Sequence, residues 1–414
     1  MAQPSTATRT RPPSAPATAP PRGAVRALVL ATIGFALTSW AWALLSPLGP
    51  VYVQRGVVPE AALLVAVPVV VGSLGRIPVG ALTDRLGGRV MFPLIALASV
   101  VPVLFLGLVG QHSAATLLVG GFFLGIAGTA FAIGVPYVNS WFPPGRRGLA
   151  TGIFGASMGG TAISAFTTVP LLTAVGDSAP FVVTAIALCL YAAVAWLLLP
   201  TAPGWTPSRG AALRGTVGVL RHRGTWEASC LYALSFGGYV AFAVFLPTLL
   251  STWYGLGSAE ASLGLAGFVL VAVLLRPLGG VLADRAGAGR TLAVSYLAVL
   301  AAALLLSTHP VLVPVGTVAL LVIAGALGLG AGAVIALVAQ VTEPSAVGAV
   351  TGVVGAAGGL GGFVPPILMA AALTTTGTYA PAILLLAAAA VGALAITWTL
   401  SRRGSERAAR PAVA

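Results

Sequence analysis

The 414 residues contain no lysine, eight carboxylates, three histidines and two cysteines. Each shortage excludes something. Cys189 and Cys230 lie in or beside apolar runs, so neither a disulfide framework nor a thiolate metal spacing is present. His112, His222 and His309 are scattered among short loops and a basic linker, with no acidic cluster beside them. No metal and no cofactor are expected, and the lack of a nucleophile–base set argues against an enzyme. Charged residues make up 7% of the chain, where soluble domains carry about 25%. Such a chain cannot face water on all sides.

Apolar residues fill the gap, at 58% of the sequence. They fall in runs of about 20 residues, long enough to cross a hydrocarbon core of about 30 Å as helices. Glycine and proline are frequent, as membrane helices tolerate. The expected fold class is an all-α membrane protein with twelve transmembrane helices. The spans read roughly 25–49, 59–82, 90–110, 114–141, 149–173, 180–200, 228–251, 261–283, 291–308, 312–341, 349–373 and 380–400. The domains follow: a disordered tail (1–23), a six-helix bundle (24–200), a polar linker (201–226), a second bundle (227–400) and a short tail (401–414).

A net charge of +13 would suggest nucleic acid in a soluble protein, but here it sets topology. Arg85, Arg89, Arg146, Arg147, Arg209, Arg214, Arg221, Arg223, Arg285 and Arg290 fall in loops of one side, with four more in each tail, whereas the opposite loops hold only Arg55. Both termini are therefore expected in the cytoplasm of a multi-pass membrane protein. The bias to Arg, Ala and Gly hints at a GC-rich bacterial genome and a bacterial cytoplasmic membrane. The lipid bilayer is one expected partner and nucleic acid is not; the chain is expected to work as a monomer.

Shifting the sequence by 200 residues superposes its halves. RIPVGALTDR (76–85) lies on RPLGGVLADR (276–285), GLATGIFGASMGG (148–160) on GAVTGVVGAAGGL (348–360), and Gly125 and Gly128 on Gly325 and Gly328. The bundles are thus pseudo-symmetric, an organisation that places transporter sites between the halves. Arg76 and Arg276 each precede an aspartate by eight residues, which is about 12 Å of helix. That puts two permanent positive charges near mid-depth, where each costs about 2.5–3.5 kcal/mol on insertion scales. Asp84, Asp177, Glu260, Asp284, Glu343 and Glu406 read as loop or tail residues, and Glu60 and Glu227 as span ends. With no internal counter-ion, the compensating charge is expected to be an anionic cargo, and the planar guanidinium fork favours a planar oxyanion. Small residues beside the arginines (Gly155 and Gly159 in one half; Gly355, Gly358 and Gly359 in the other) leave room for a small ligand and for sliding helices.

GALTDRLGGR and its echo GVLADRAGAGR resemble the loop motif of the major facilitator superfamily. Asp84, Arg85, Asp284 and Arg285 are expected to form a conformational latch, the aspartates pairing with an arginine or capping a neighbouring helix. GSLGRIP, LLRPLGG, the FAxxxP stretch, WFPPGRRGLATG and GVVGAAGGLGGFVPP together resemble the nitrate/nitrite porter family of that superfamily, over most of residues 25–400. The resemblance implies that Arg76 and Arg276 bind the anion, that Phe131 stacks on it, and that Tyr232 and Phe236 contribute from the seventh span. One departure stands out. The family's fifth-span signature carries an Asn between glycines, where GASMGG has Met158 or Gly159.

The expected activity is secondary transport of nitrate and/or nitrite by alternating access. Exchange is favoured over proton symport because no Asp, Glu or His is expected inside the membrane. Rival readings are another small anion such as cyanate or a short carboxylate, a drug exporter of the same fold, or a membrane receptor for nitrate.

Overall fold

A computed structural model describes residues 21–59, 62–203, 205–206, 218–343 and 346–409. Most of the predicted N-terminal tail, the middle of the linker with Arg209 and Arg214, Glu60, and Arg410 lie outside the described residues. No strand occurs among those described. The first half holds α1 (Ala24–Trp42), α2 (Leu45–Gln54), α3 (Ala62–Leu86), α4 (Gly88–Leu108), α5 (Ala114–Leu124), α6 (Ala130–Trp141), α7 (Arg147–Ala156), α8 (Gly160–Val175) and α9 (Ala179–Leu198). The second holds α10 (Arg223–Tyr232), α11 (Gly238–Tyr254), α12 (Ser258–Ala286), α13 (Ala288–Ser307), α14 (Thr317–Val341), α15 (Val347–Gly361), α16 (Val364–Thr376) and α17 (Ala380–Ala409).

Eleven helical segments are long and apolar enough to cross a membrane, several of them made of two helices joined at a kink. The twelfth crossing, expected as one span over 349–373, is instead split between α15 and α16. Gly361 and Gly362 precede Pro365 and Pro366 there, and the two prolines fall in the first turn of α16, where a missing N–H costs no helix hydrogen bond. The last helix also runs beyond residue 400 to Ala409, because SRRGSERAA is rich in helix-forming Arg, Glu and Ala. Leu97, Val101, Leu190 and Leu197 are exposed along the outer surface, as a bilayer-facing surface requires.

Three spans change helix type within their length. A 3-10 stretch (Gly125–Thr129) joins α5 to α6, another (Ser157–Gly159) joins α7 to α8, and a π turn (Ala233–Gly237) joins α10 to α11. Irregular backbone inside a membrane persists where it lines a protein-enclosed site, since lipid offers it no hydrogen bonds.

The two halves meet where α3 crosses α15 and where α7 crosses α12. Glycine makes both approaches close. A Cβ on Gly80 would strike the Gly348 carbonyl, and one on Gly148 would strike the Gly280 carbonyl. These crossings lie between the arginine layer and the Asp84/Asp284 end, so the halves are closed on that side.

Candidate functional site

Arg76 comes from α3 and Arg276 from α12, and they are only 2% and 5% exposed. The Nε–H of Arg76 donates to the Gly128 carbonyl at 3.1 Å and its Nη1–H to the Gly355 carbonyl at 2.6 Å. Gly128 lies in the 3-10 stretch ahead of α6, while Gly355 lies in α15 of the other half. Arg76 therefore spans the interface between the bundles. Arg276 donates from Nη2 to the Tyr232 hydroxyl oxygen at 2.5 Å, inside its own half. That oxygen accepts, so the Tyr232 proton remains free to be donated elsewhere. The ion pairs among the described residues are Arg55–Asp177 and Arg223–Glu227, and neither buried arginine belongs to one. Each guanidinium has five N–H donors. The three bonds named leave most of them without a described acceptor.

Aromatic rings wall this charge. The guanidinium carbon of Arg76 lies 5.3 Å from the Phe131 ring centre and 5.5 Å from that of Phe236. For Arg276 the distances are 5.8 and 5.3 Å. Both rings thus face both cations, one from each half, within cation–π range. Tyr232 stacks on Phe131 at 5.8 Å and on Phe236 at 5.2 Å, the latter only 7° from parallel. Behind Phe131 stand Phe35 (5.8 Å) and Phe154 (6.3 Å), which fix its position. The sequence motifs single out neither backing ring, although Phe154 sits in GIFGASMGG directly before Gly155 and adjacency to that glycine is the signal for it.

The glycines separate into groups. A Cβ on Gly155 would come to 2.6 Å from Arg276 Nε, and one on Gly355 to 3.1 Å from Arg76 Cδ and 3.2 Å from Phe131 Cδ1. One on Gly358 would run into Tyr232 and Phe236, and one on Gly359 into the Ser73 hydroxyl. Gly159 is different, because a Cβ there meets only Val273 at an ordinary 3.7 Å. No described contact brings it to either arginine, unlike Gly155 and Gly355. Met158, in the position of the missing Asn, is buried, and its sulfur accepts from the Ser39 hydroxyl at 3.7 Å.

The aspartates of the repeated loop cap helices across the interface. Asp84 accepts from the backbone N–H of Gly348 and of Ala349, both at 3.0 Å, at the start of α15. Asp284 accepts from Leu149 N–H at 3.2 Å, at the start of α7. Free N–H groups and the helix dipole both favour a carboxylate at that end. Both residues end long helices rather than lying in loops. Arg85 and Arg285 are exposed and take no described part in either cap. Each lies one residue on from its aspartate, about 100° around the helix, and so faces away.

The Major Facilitator Superfamily profile matches residues 31–249 and 228–414. A protein of Mycobacterium tuberculosis described as "Probable nitrate/nitrite transporter NarK2" is 43% identical over 396 residues, covering 94% of this chain and all of that relative. The chain belongs to the nitrate/nitrite porter family of the major facilitator superfamily. The "Nitrite extrusion protein" of Bacillus subtilis is 33% identical, over 78% of this chain and 80% of its own. Among solved structures, the human organic anion transporter MFSD10 superposes with a TM-score of 0.77 at 16% identity, covering 91% of this chain and 100% of that one. The fucose transporter FucP in its outward conformation gives 0.73 at 17%, over 91% and 99%. At such identities these two speak for the fold alone. As a porter of this family the chain is a multi-pass membrane protein, and it is not an enzyme.

Proposed function

We propose that the chain carries nitrate and nitrite across a bacterial cytoplasmic membrane, with both termini inside, working as a monomer. The observation that carries this reading is the pair Arg76 and Arg276. They are buried, come one from each half, face the same two aromatic rings, and form no described ion pair. Their unused N–H donors suit the oxygens of a planar anion, and Phe131 and Phe236 suit its flat faces. The names of the relatives point to the same anions.

The mechanism we infer is alternating access. With the anion bound, the repulsion between the guanidiniums is offset and the loaded carrier closes around it. The empty carrier keeps two facing positive charges and reorients slowly. Exchange of nitrate for nitrite follows, because each half-cycle needs a passenger. The described hydrogen bonds and ion pairs of the arginines bring no carboxylate or imidazole to them, which supports exchange over proton symport. The two aspartate caps act as the inner latch, released when the halves part.

Counterflow tests this reading. Vesicles loaded with nitrite should accumulate labelled nitrate without a pH gradient, and imposing one should change the rate less than twofold. Uptake that needs an inward proton gradient and ignores internal nitrite would overturn exchange.

A further inference from the structure

One buried hydroxyl is left unused by the arginine site, and its role rests on the anion-carrier reading above. Thr351 is in α15 and 0% exposed, and its Oγ1 has no hydrogen-bond partner among the described residues. Among the described threonines, Thr32 in α1 alone shares this. A threonine within a helix ordinarily donates to the carbonyl four residues back. Thr83, Thr184, Thr291 and Thr397 all do so. The sharpest contrast is its mate in the other half. Thr151 donates to the Arg147 carbonyl at 2.8 Å. Same residue, same place in the repeat, yet one hydroxyl is satisfied and the other is not.

Its place in the fold supplies a reason. Residues 351, 355 and 358 share one face of α15, at spacings of four and three. On that face a Cβ at Gly355 would touch Arg76 and Phe131, and one at Gly358 would touch Tyr232 and Phe236. Thr351 is therefore the next position on the wall of the site, one turn toward the Asp84–Gly348 cap. A buried donor without a partner is costly and calls for an explanation. A ligand that arrives only in part of the cycle provides one.

We propose that the Thr351 hydroxyl is an anion donor on the inner side of the arginine pair, the first polar group the anion meets as the α3–α15 crossing opens. The anion exchanges a guanidinium N–H for the Thr351 O–H on its way to or from the inner face. Thr151 has no such role, because its proton is held by its own helix.

The test compares Thr351→Val, which keeps the shape and removes the hydroxyl, with Thr351→Ser, which keeps the hydroxyl. Thr151→Val is the control. Nitrate and nitrite transport is measured in right-side-out and inside-out vesicles, with thermal unfolding of each purified variant. Thr351→Val should raise the KM at the inner face about five-fold, leave the outer KM within twofold, and melt at or above the wild-type temperature. Thr351→Ser should stay within twofold of wild type on both faces, as should Thr151→Val. Wild-type inner KM in Thr351→Val, or an equal defect in Thr351→Ser, would overturn the proposal while leaving the carrier reading intact. A wild-type protein that moves neither anion from either face would overturn both.

Discussion

The two halves are copies in sequence but not in what their matched residues hold. Arg76 is tied by two carbonyls, one of them across the interface, whereas Arg276 leans on a phenol of its own half. Asp84 fills both carboxylate oxygens with N–H groups of α15, and Asp284 receives one described bond from α7. The side-chain hydrogen bonds described across the interface are therefore more numerous at α3–α15 than at α7–α12. In the proposed cycle α3 and α15 form the stiff side of the closed carrier and α7 and α12 the looser side. The free end of the system is Arg276 with Tyr232, whose hydroxyl is able to turn toward a passenger.

The largest expected effects come from the arginines. Arg76→Lys and Arg276→Lys keep the charge but lose the fork, removing at least one charged hydrogen bond of about 1.5–3 kcal/mol. Transport in proteoliposomes should fall on the order of 100-fold in each, at about 1.4 kcal/mol per factor of ten. The asymmetry enters through folding. Arg76→Lys should also lower the melting temperature, because its interface bond to Gly355 goes, while Arg276→Lys should not. Equal melting of the two would remove the distinction between the halves.

Next come the crossings. Gly348→Ala drives a methyl into the Asp84 carboxylate and the Gly80 carbonyl, and Gly148→Ala drives one into the Gly280 carbonyl. Backbone cannot yield as a flexible side chain can. Transport should fall about ten-fold in either, from a few kcal/mol of overpacking partly relieved by helix movement. Labelling of a cysteine placed on the inner side should rise, and unchanged labelling would speak against closure there.

Smaller still is the latch. Asp84→Asn loses charge at a helix start where both oxygens are engaged, and Asp284→Asn where one is. Helix-terminus charges contribute about 0.3–1 kcal/mol when exposed and up to about 2 kcal/mol when partly buried. Inner-side labelling should rise about five-fold for Asp84→Asn and about twofold for Asp284→Asn. The reverse order would invert the comparison.

The least effect is expected at the surface pair Arg55–Asp177, bonded at 2.8 and 2.9 Å on the opposite side. The guanidinium holds the Asp177 carboxyl below its usual range. Its stabilising contribution is thus present above the ordinary carboxylate pKa and fades as pH falls through the lowered value. Both groups are well solvated, so Asp177→Asn should cost at most about 0.5 kcal/mol at pH 7. Unfolding followed between pH 7 and 5 should show no change in that contribution.

What the sequence disclosed followed from contrast. A charge inside an apolar run is conspicuous, and the 200-residue offset supplied its mate, so Arg76, Arg276, Asp84 and Asp284 were all visible. Most span limits were visible for the same reason. What stayed hidden depends on contacts between distant segments. Nothing in FVPP by itself says that the crossing breaks into α15 and α16, or in GIAGT that a 3-10 stretch presents the Gly128 carbonyl to Arg76. The arginines of the loop motif, Arg85 and Arg285, looked like latch partners because they adjoin the aspartates. Helix geometry turns them away. Thr351 was hidden most deeply, since its repeat partner Thr151 reads identically and differs only in where its proton goes.

The central claim is that two guanidiniums hold one passenger jointly. Nitrate affinity measured in detergent for wild type, Arg76→Lys, Arg276→Lys and the double variant tests it most directly. Each single change should weaken binding about 100-fold, and the wild type should hold one anion per chain, because both arginines serve the same anion. Wild-type affinity after either single change, or two anions held per wild-type chain, would contradict a shared site.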